Sequence, residues 1–109
     1  MDEDRTVTVK KQAVPDASAV VVEAGSELAV AVFRVGDRFH AIDNRCPHRG
    51  GPLGAGRLDG AVVTCPWHGF TVDVRTGRCP RMPELGVRTF MVEEDGDDGL
   101  RVLIPEASR

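Results

Sequence analysis

Two short segments of this chain pair a cysteine with a histidine: Cys46-Pro47-His48-Arg49-Gly50 and Cys65-Pro66-Trp67-His68-Gly69. Each supplies one thiolate and one imidazole, and sixteen residues lie between His48 and Cys65. Two sulfur and two nitrogen donors in a small protein imply a metal centre. Ligand type alone leaves zinc and iron open, because thiolate and imidazole suit both. A Cys2His2 zinc site usually brings its two cysteines close together and then its two histidines. Here each segment carries one of each. The order Cys-x-His, then Cys-x-x-His, favours a [2Fe–2S] cluster in which two histidines replace two cysteines on one iron. Each loop can then send its cysteine to one iron and its histidine to the other.

The flanking residues suit that chemistry. Gly50 and Gly69 stand where the backbone must bend sharply and come close to the metal. Backbone N–H groups there are placed to donate to sulfur, which tunes potential. Pro47 and Pro66 stiffen the loops, and each removes a donor. Trp67 is expected to pack beneath the second loop as an apolar shield. The third cysteine, Cys79, is read as a structural or incidental thiol, since cysteine is commonly buried for packing alone. The histidines close to the other two favour metal over a disulfide. His40 is read as structural or solvent-facing. The sequence shows no phosphate loop, no dinucleotide fingerprint and no Ser-His-Asp set. No catalytic residue is assigned, and the chain is expected to be an electron carrier rather than an enzyme.

The elements that must position these loops read as β throughout. Short apolar and β-branched runs are interrupted by turn residues at close intervals. They predict strands over 6–9, 20–23, 28–33, 39–42, 61–65, 70–74, 88–92 and 100–104. Val35-Gly36-Asp37-Arg38 predicts a tight hairpin turn, and Asp59-Gly60 and Thr76-Gly77 carry similar signals. The run Glu93–Gly99 is expected to be a solvated acidic turn joining the last two strands. No long stretch repeats apolar residues at helical spacing. From Asn44 to Arg57 the chain is rich in glycine, proline and arginine, and it is rich in proline again from Arg78 to Gly86. These stretches bracket the metal motifs. The expectation is one all-β domain over 1–109. The outer segments make an antiparallel β-sandwich base, and about 43–83 makes a smaller cluster-binding lobe.

With 109 residues, one domain is enough. A net charge of -3 leaves no basic footprint for nucleic acid. No apolar run approaches the roughly 18 to 20 residues that span a bilayer. The acidic opening Met1–Arg5 has no apolar segment behind it, so no secretory signal is visible and a cytoplasmic location is expected.

The segments Cys46-Pro47-His48-Arg49-Gly50-Gly51-Pro52-Leu53 and Cys65-Pro66-Trp67-His68-Gly69-Phe70 closely resemble the two cluster loops of Rieske proteins. The following Phe70–Gly77 resembles what succeeds the second loop in Rieske-type ferredoxins, and Arg78–Leu85 is the counterpart of their proline-rich cover. The resemblance implies one [2Fe–2S] cluster per chain, with Cys46 and Cys65 on one iron and His48 and His68 on the other. It departs from the respiratory and photosynthetic members, which carry an extra cysteine in each loop, joined as a disulfide. Gly51 and Trp67 stand at those positions here. Phe70 and Val72 replace a serine and a tyrosine, so fewer hydrogen bonds reach sulfur. A potential near the low end of the range, about -150 mV, is expected.

Two ferric ions, two sulfides and two thiolates sum to zero charge when both histidines are neutral. A cluster held by four cysteines is more negative and resists reduction more, so histidine ligation raises the potential. The resemblance implies an electron carrier between a flavin-containing, NAD(P)H-linked reductase and a terminal oxygenase, in particular a ring-hydroxylating dioxygenase. A small subunit of an assimilatory nitrite reductase is the alternative of the same chemistry. A structural zinc-binding interaction module is the alternative of another class. Partner docking is expected at the tip around His48, Arg49, Trp67, His68 and the proline-rich segment, with Arg45, Arg49 and Arg81 available to steer an acidic surface.

Overall fold

The computed structural model describes residues 5–25, 28–47, 50–67 and 69–104. Among the described residues nine strands run in chain order: β1 (Arg5–Lys10), β2 (Ser18–Glu23), β3 (Ala29–Val35), β4 (Arg38–Asp43), β5 (Arg57–Asp59), β6 (Val62–Thr64), β7 (Thr71–Asp73), β8 (Thr89–Asp95) and β9 (Gly99–Ile104). Two 3-10 turns, Lys11–Ala13 and Leu53–Ala55, complete the regular structure of these residues. The fold is the all-β, antiparallel one that the short alternating runs predict.

Six strands form one sheet in the order β1-β9-β8-β4-β3-β2, and β5-β6-β7 form a second. The six-stranded sheet narrows at its middle. There β4 pairs with β8 only through Ala41 opposite Phe90 and Ile42 opposite Thr89. Residues from both sides of that seam share one core: Val9, Leu100, Val102 and Ile104 from β1 and β9, with Val30, Val32 and Ala41 from β3 and β4. The sheet therefore folds back over itself, as a sandwich does.

Strand β3 explains how the two sheets are joined. Side chains alternate across a strand, yet Val30, Ala31, Val32 and Phe33 are all fully buried. Val30 and Val32 enter the core of the folded sheet. Ala31 and Phe33 enter a second core with Ile42, Leu53, Val63, Val72, Val74 and both loop cysteines, Cys46 and Cys65. A near-continuous apolar run is what a strand covered on both faces requires. The strand β3 is thus the shared wall between the base and the cysteine loops.

Three details depart from the sequence reading. Strand β5 begins at Arg57, the end of the glycine-rich stretch, where no strand is predicted. It forms because Leu58 stands opposite Val63, which stands opposite Val72, in a three-strand meander. The acidic run is mostly strand: Glu93, Glu94 and Asp95 belong to β8, and the turn is confined to residues 96–98. Cations make this tolerable: Arg101, opposite on β9, pairs with Glu93 at 3.4 Å, and Lys11 of the first 3-10 turn has its Nζ 2.7 Å from Glu94. Trp67 does not pack beneath its loop; it is 58% exposed.

Candidate metal centre

The two cysteine loops are built on one backbone plan. The first is closed by a bridge between Arg45 and Pro52, the second by Thr64 opposite Thr71. Inside each closure the same two hydrogen bonds recur. The N–H of Cys46 donates to the carbonyl of Gly51 at 2.9 Å, and that of Cys65 to the carbonyl of Phe70 at 2.7 Å. The N–H of Gly50 returns to the carbonyl of Cys46 at 2.8 Å, and that of Gly69 to the carbonyl of Cys65 at 3.0 Å. Closing these turns places Gly50 at φ +78° and Gly69 at φ +72°. L residues adopt that region only at a cost, so glycine at both positions follows from the loop geometry.

The outcome is two buried thiols facing a common core. Cys46 is 2% and Cys65 1% exposed, and both contact the Ile42, Leu53, Val63 and Val72 group. Among the described residues no cysteine is joined in a disulfide. Gly51 ties the loops together. Its carbonyl holds the Cys46 N–H, and a Cβ added to it would lie 2.8 Å from Cys65 Sγ. His48, Arg49 and His68 lie outside the described residues. Among the described residues no three potential ligands cluster. The donor chemistry nonetheless fits a cluster held half by sulfur: two buried thiols on matched loops, each with a histidine two or three residues ahead in sequence.

Cys79 is also buried, in a separate loop. Its N–H donates to the carbonyl of Leu85 at 3.1 Å, and its own carbonyl accepts the Met82 N–H at 3.2 Å. A bridge between Arg78 and Gly86 closes this proline-rich loop, and the Arg78 guanidinium donates to the Pro83 carbonyl at 2.9 Å. The backbone of Cys79 thus helps to fold the loop that carries it.

His40 lies on β4, half-buried. Burial pulls its pKa below 6.5, and the Arg75 guanidinium adds to that, while Asp73 opposes it. Asp73 itself is held below 3.8, chiefly by hydrogen bonds from the Arg75 side chain. These bonds measure 2.9 Å and 3.1 Å.

Sequence reasoning did not single out Asn44. Its Oδ1 accepts the Gly54 N–H at 2.6 Å, and its carbonyl accepts the Leu53 N–H at 2.7 Å. The signal was available, since asparagine before a glycine- and proline-rich stretch commonly bonds nearby backbone.

This architecture, two matched cysteine loops set on a folded antiparallel sheet, defines a class of metal-binding domain. The sequence pattern of the Rieske [2Fe–2S] domain matches residues 4–91, and the chain belongs to that family. Ferredoxin CarAc of Metapseudomonas resinovorans is 43% identical over 68 residues, which are 60% of this chain and 64% of that protein. The 3-phenylpropionate/cinnamic acid dioxygenase ferredoxin subunit of Shigella boydii is 32% identical over 96 residues, covering 86% of this chain and 88% of the relative. Among solved structures, a chain in the complex of reduced oxygenase and oxidized ferredoxin in carbazole 1,9a-dioxygenase superimposes with a TM-score of 0.81. It is 27% identical, over 94% of this chain and 97% of that one. A protein put forward as the NADH-dependent nitrite reductase small subunit of Mycobacterium tuberculosis gives a TM-score of 0.83 at 21% identity, over 94% and 96%, which is a likeness of fold alone.

Proposed function

We propose that this chain is a Rieske-type ferredoxin that carries single electrons from a flavin-containing, NAD(P)H-linked reductase to a terminal oxygenase of the ring-hydroxylating kind. Cys46, His48, Cys65 and His68 are the ligands of one [2Fe–2S] cluster per chain. When bound, the cluster supplies a site that gains and loses one electron. The observation that carries the reading is the repeat of one hydrogen-bonded loop around two buried thiols. The chain's own residues hold the thiolates in an apolar core, on loops whose backbone hydrogen bonds and prolines leave little freedom to relax. Loops so held would keep the ligand atoms in similar positions whether or not the cluster carries the extra electron.

Relatives that are ferredoxin subunits of dioxygenases support the choice of partner. The nitrite reductase alternative uses the same site and is supported only by likeness of fold. Membership of a [2Fe–2S] family weighs against the zinc module. Among the described residues no helix is long and apolar enough to cross a membrane; the proposed setting is the cytoplasm. The test is to mix the reduced protein anaerobically with candidate acceptors and follow its visible absorbance. Rapid reoxidation by a terminal oxygenase, and not by an assimilatory nitrite reductase, is expected. The reverse preference would reassign the partner.

A further inference from the structure

Trp67 is the single tryptophan of the chain, which has no tyrosine. Although the ring is largely open to solvent, one part of it is firmly placed. A carbon added at residue 51 would lie 2.9 Å from Trp67 Cδ2, 3.0 Å from Trp67 Cγ and 2.8 Å from Cys65 Sγ. The indole of the second loop therefore stands against the backbone of the first, with the sulfur beside both. Any side chain at residue 51 would collide with ring and sulfur, so the contact requires glycine there. Cys65 is 1% exposed while its neighbour Trp67 is 58% exposed. An exposed ring lying beside a buried sulfur is part of what keeps that sulfur dry.

We propose that Trp67 is a positioning residue: its indole, laid on Gly51, clasps the two cysteine loops together and excludes water from the Cys65 sulfur. The proposal rests on the reading of Cys65 as a cluster ligand. The ring is suited to the task because it is large and rigid, with only two side-chain torsions to order. Solvent exposure and hydrogen bonds to sulfur are among the factors that set the potential of an iron–sulfur centre. Water reaching the Cys65 thiolate would donate hydrogen bonds to it and stabilise the more negative, reduced form. Loss of the clasp should therefore raise the potential. A tryptophan kept only as a contact for a partner would leave the isolated protein's potential unchanged.

The experiment compares wild type, Trp67→Ala, Trp67→Phe and Gly51→Ala, each purified anaerobically. Three quantities are read: the midpoint potential, the rate at which visible absorbance bleaches in EDTA, and the ultraviolet emission, which comes from Trp67 alone. Trp67→Ala is expected to raise the potential and bleach severalfold faster, and Trp67→Phe to return both towards wild type. Gly51→Ala keeps the tryptophan but drives a methyl group into the contact. It is expected to shift the emission to the red and to move potential and bleaching as Trp67→Ala does. If Trp67→Ala fails to assemble, Trp67→Phe decides, because Gly51→Ala also presses on the Cys65 sulfur: a potential and bleaching rate displaced part of the way from wild type support the clasp, and wild-type values overturn it. A coloured wild type whose variants keep its potential and bleaching rate would overturn the clasp alone. A colourless wild type would overturn the ligand reading, and the clasp with it.

Discussion

In the second cysteine loop the closing rung is Thr64 against Thr71, and the next is Val63 against Val72, both within strands. In the first, the closing rung is the isolated bridge of Arg45 and Pro52. Below it stands one backbone bond, from the Leu53 N–H to the Asn44 carbonyl, and the Asn44 side chain then takes the Gly54 N–H. The loops themselves are alike in backbone; their anchors are not. One is held by a strand ladder in which many residues share the work. The other leans on the side chains of Asp43, which accepts the Arg45 N–H at 2.9 Å, Asn44 and Leu53. A conformation spread over a ladder tolerates side-chain change, whereas one resting on a few side chains does not.

That contrast can be broken or sharpened by substitution. Leu53 is fully buried in the core shared with both cysteines. Leu53→Ala is expected to cost about 3 kcal/mol in urea unfolding, because lost burial and a residual cavity add. Asn44→Ala is expected to cost about 2 kcal/mol, because it leaves the Gly54 N–H unsatisfied at a half-buried site. It should also loosen the first loop selectively, read as faster amide exchange at Gly50 and Gly54 than at Gly69.

On the second-loop side, the nearest comparable side chain is Asp73 of β7, which accepts the Arg75 N–H at 2.9 Å. Asp73→Asn is expected to cost about 1 kcal/mol at neutral pH. The carboxyl's folded pKa is depressed below 3.8, so its contribution is fully present above that value and fades as pH falls through the folded one. The gap between wild type and variant should therefore close in acid; a gap constant to the lowest pH at which the fold survives would contradict the ion-pair account. Thr64→Ala, within the ladder itself, is expected to change stability by no more than about 0.5 kcal/mol. If Thr64→Ala proved costlier than Asn44→Ala, the contrast drawn between the two anchors would be wrong.

Much of this was legible in the sequence because local chemistry set it. Alternating apolar residues placed β1, β2, β4 and β9 within two residues of their observed ends, and Val35 opposite Arg38 is the tight turn that Gly36 signals. The cysteines of the two motifs meet in one core. What was not legible depends on distant neighbours. The strand β5 has its partner in β6, not in its own composition. Glu93 and Glu94 can extend a strand because Arg101, opposite on β9, pairs with the first and Lys11, in a 3-10 turn distant in sequence, with the second. The outward stand of Trp67 depends on Gly51, which belongs to the other loop.

The most direct test of the central claim is the quantity of iron, acid-labile sulfide and zinc in protein purified without oxygen, with the same assay on Cys65→Ser. Two irons and two sulfides per wild-type chain, and neither in the variant, are the predicted result. Zinc in their place, or a full cluster surviving the loss of the Cys65 sulfur, would contradict the account.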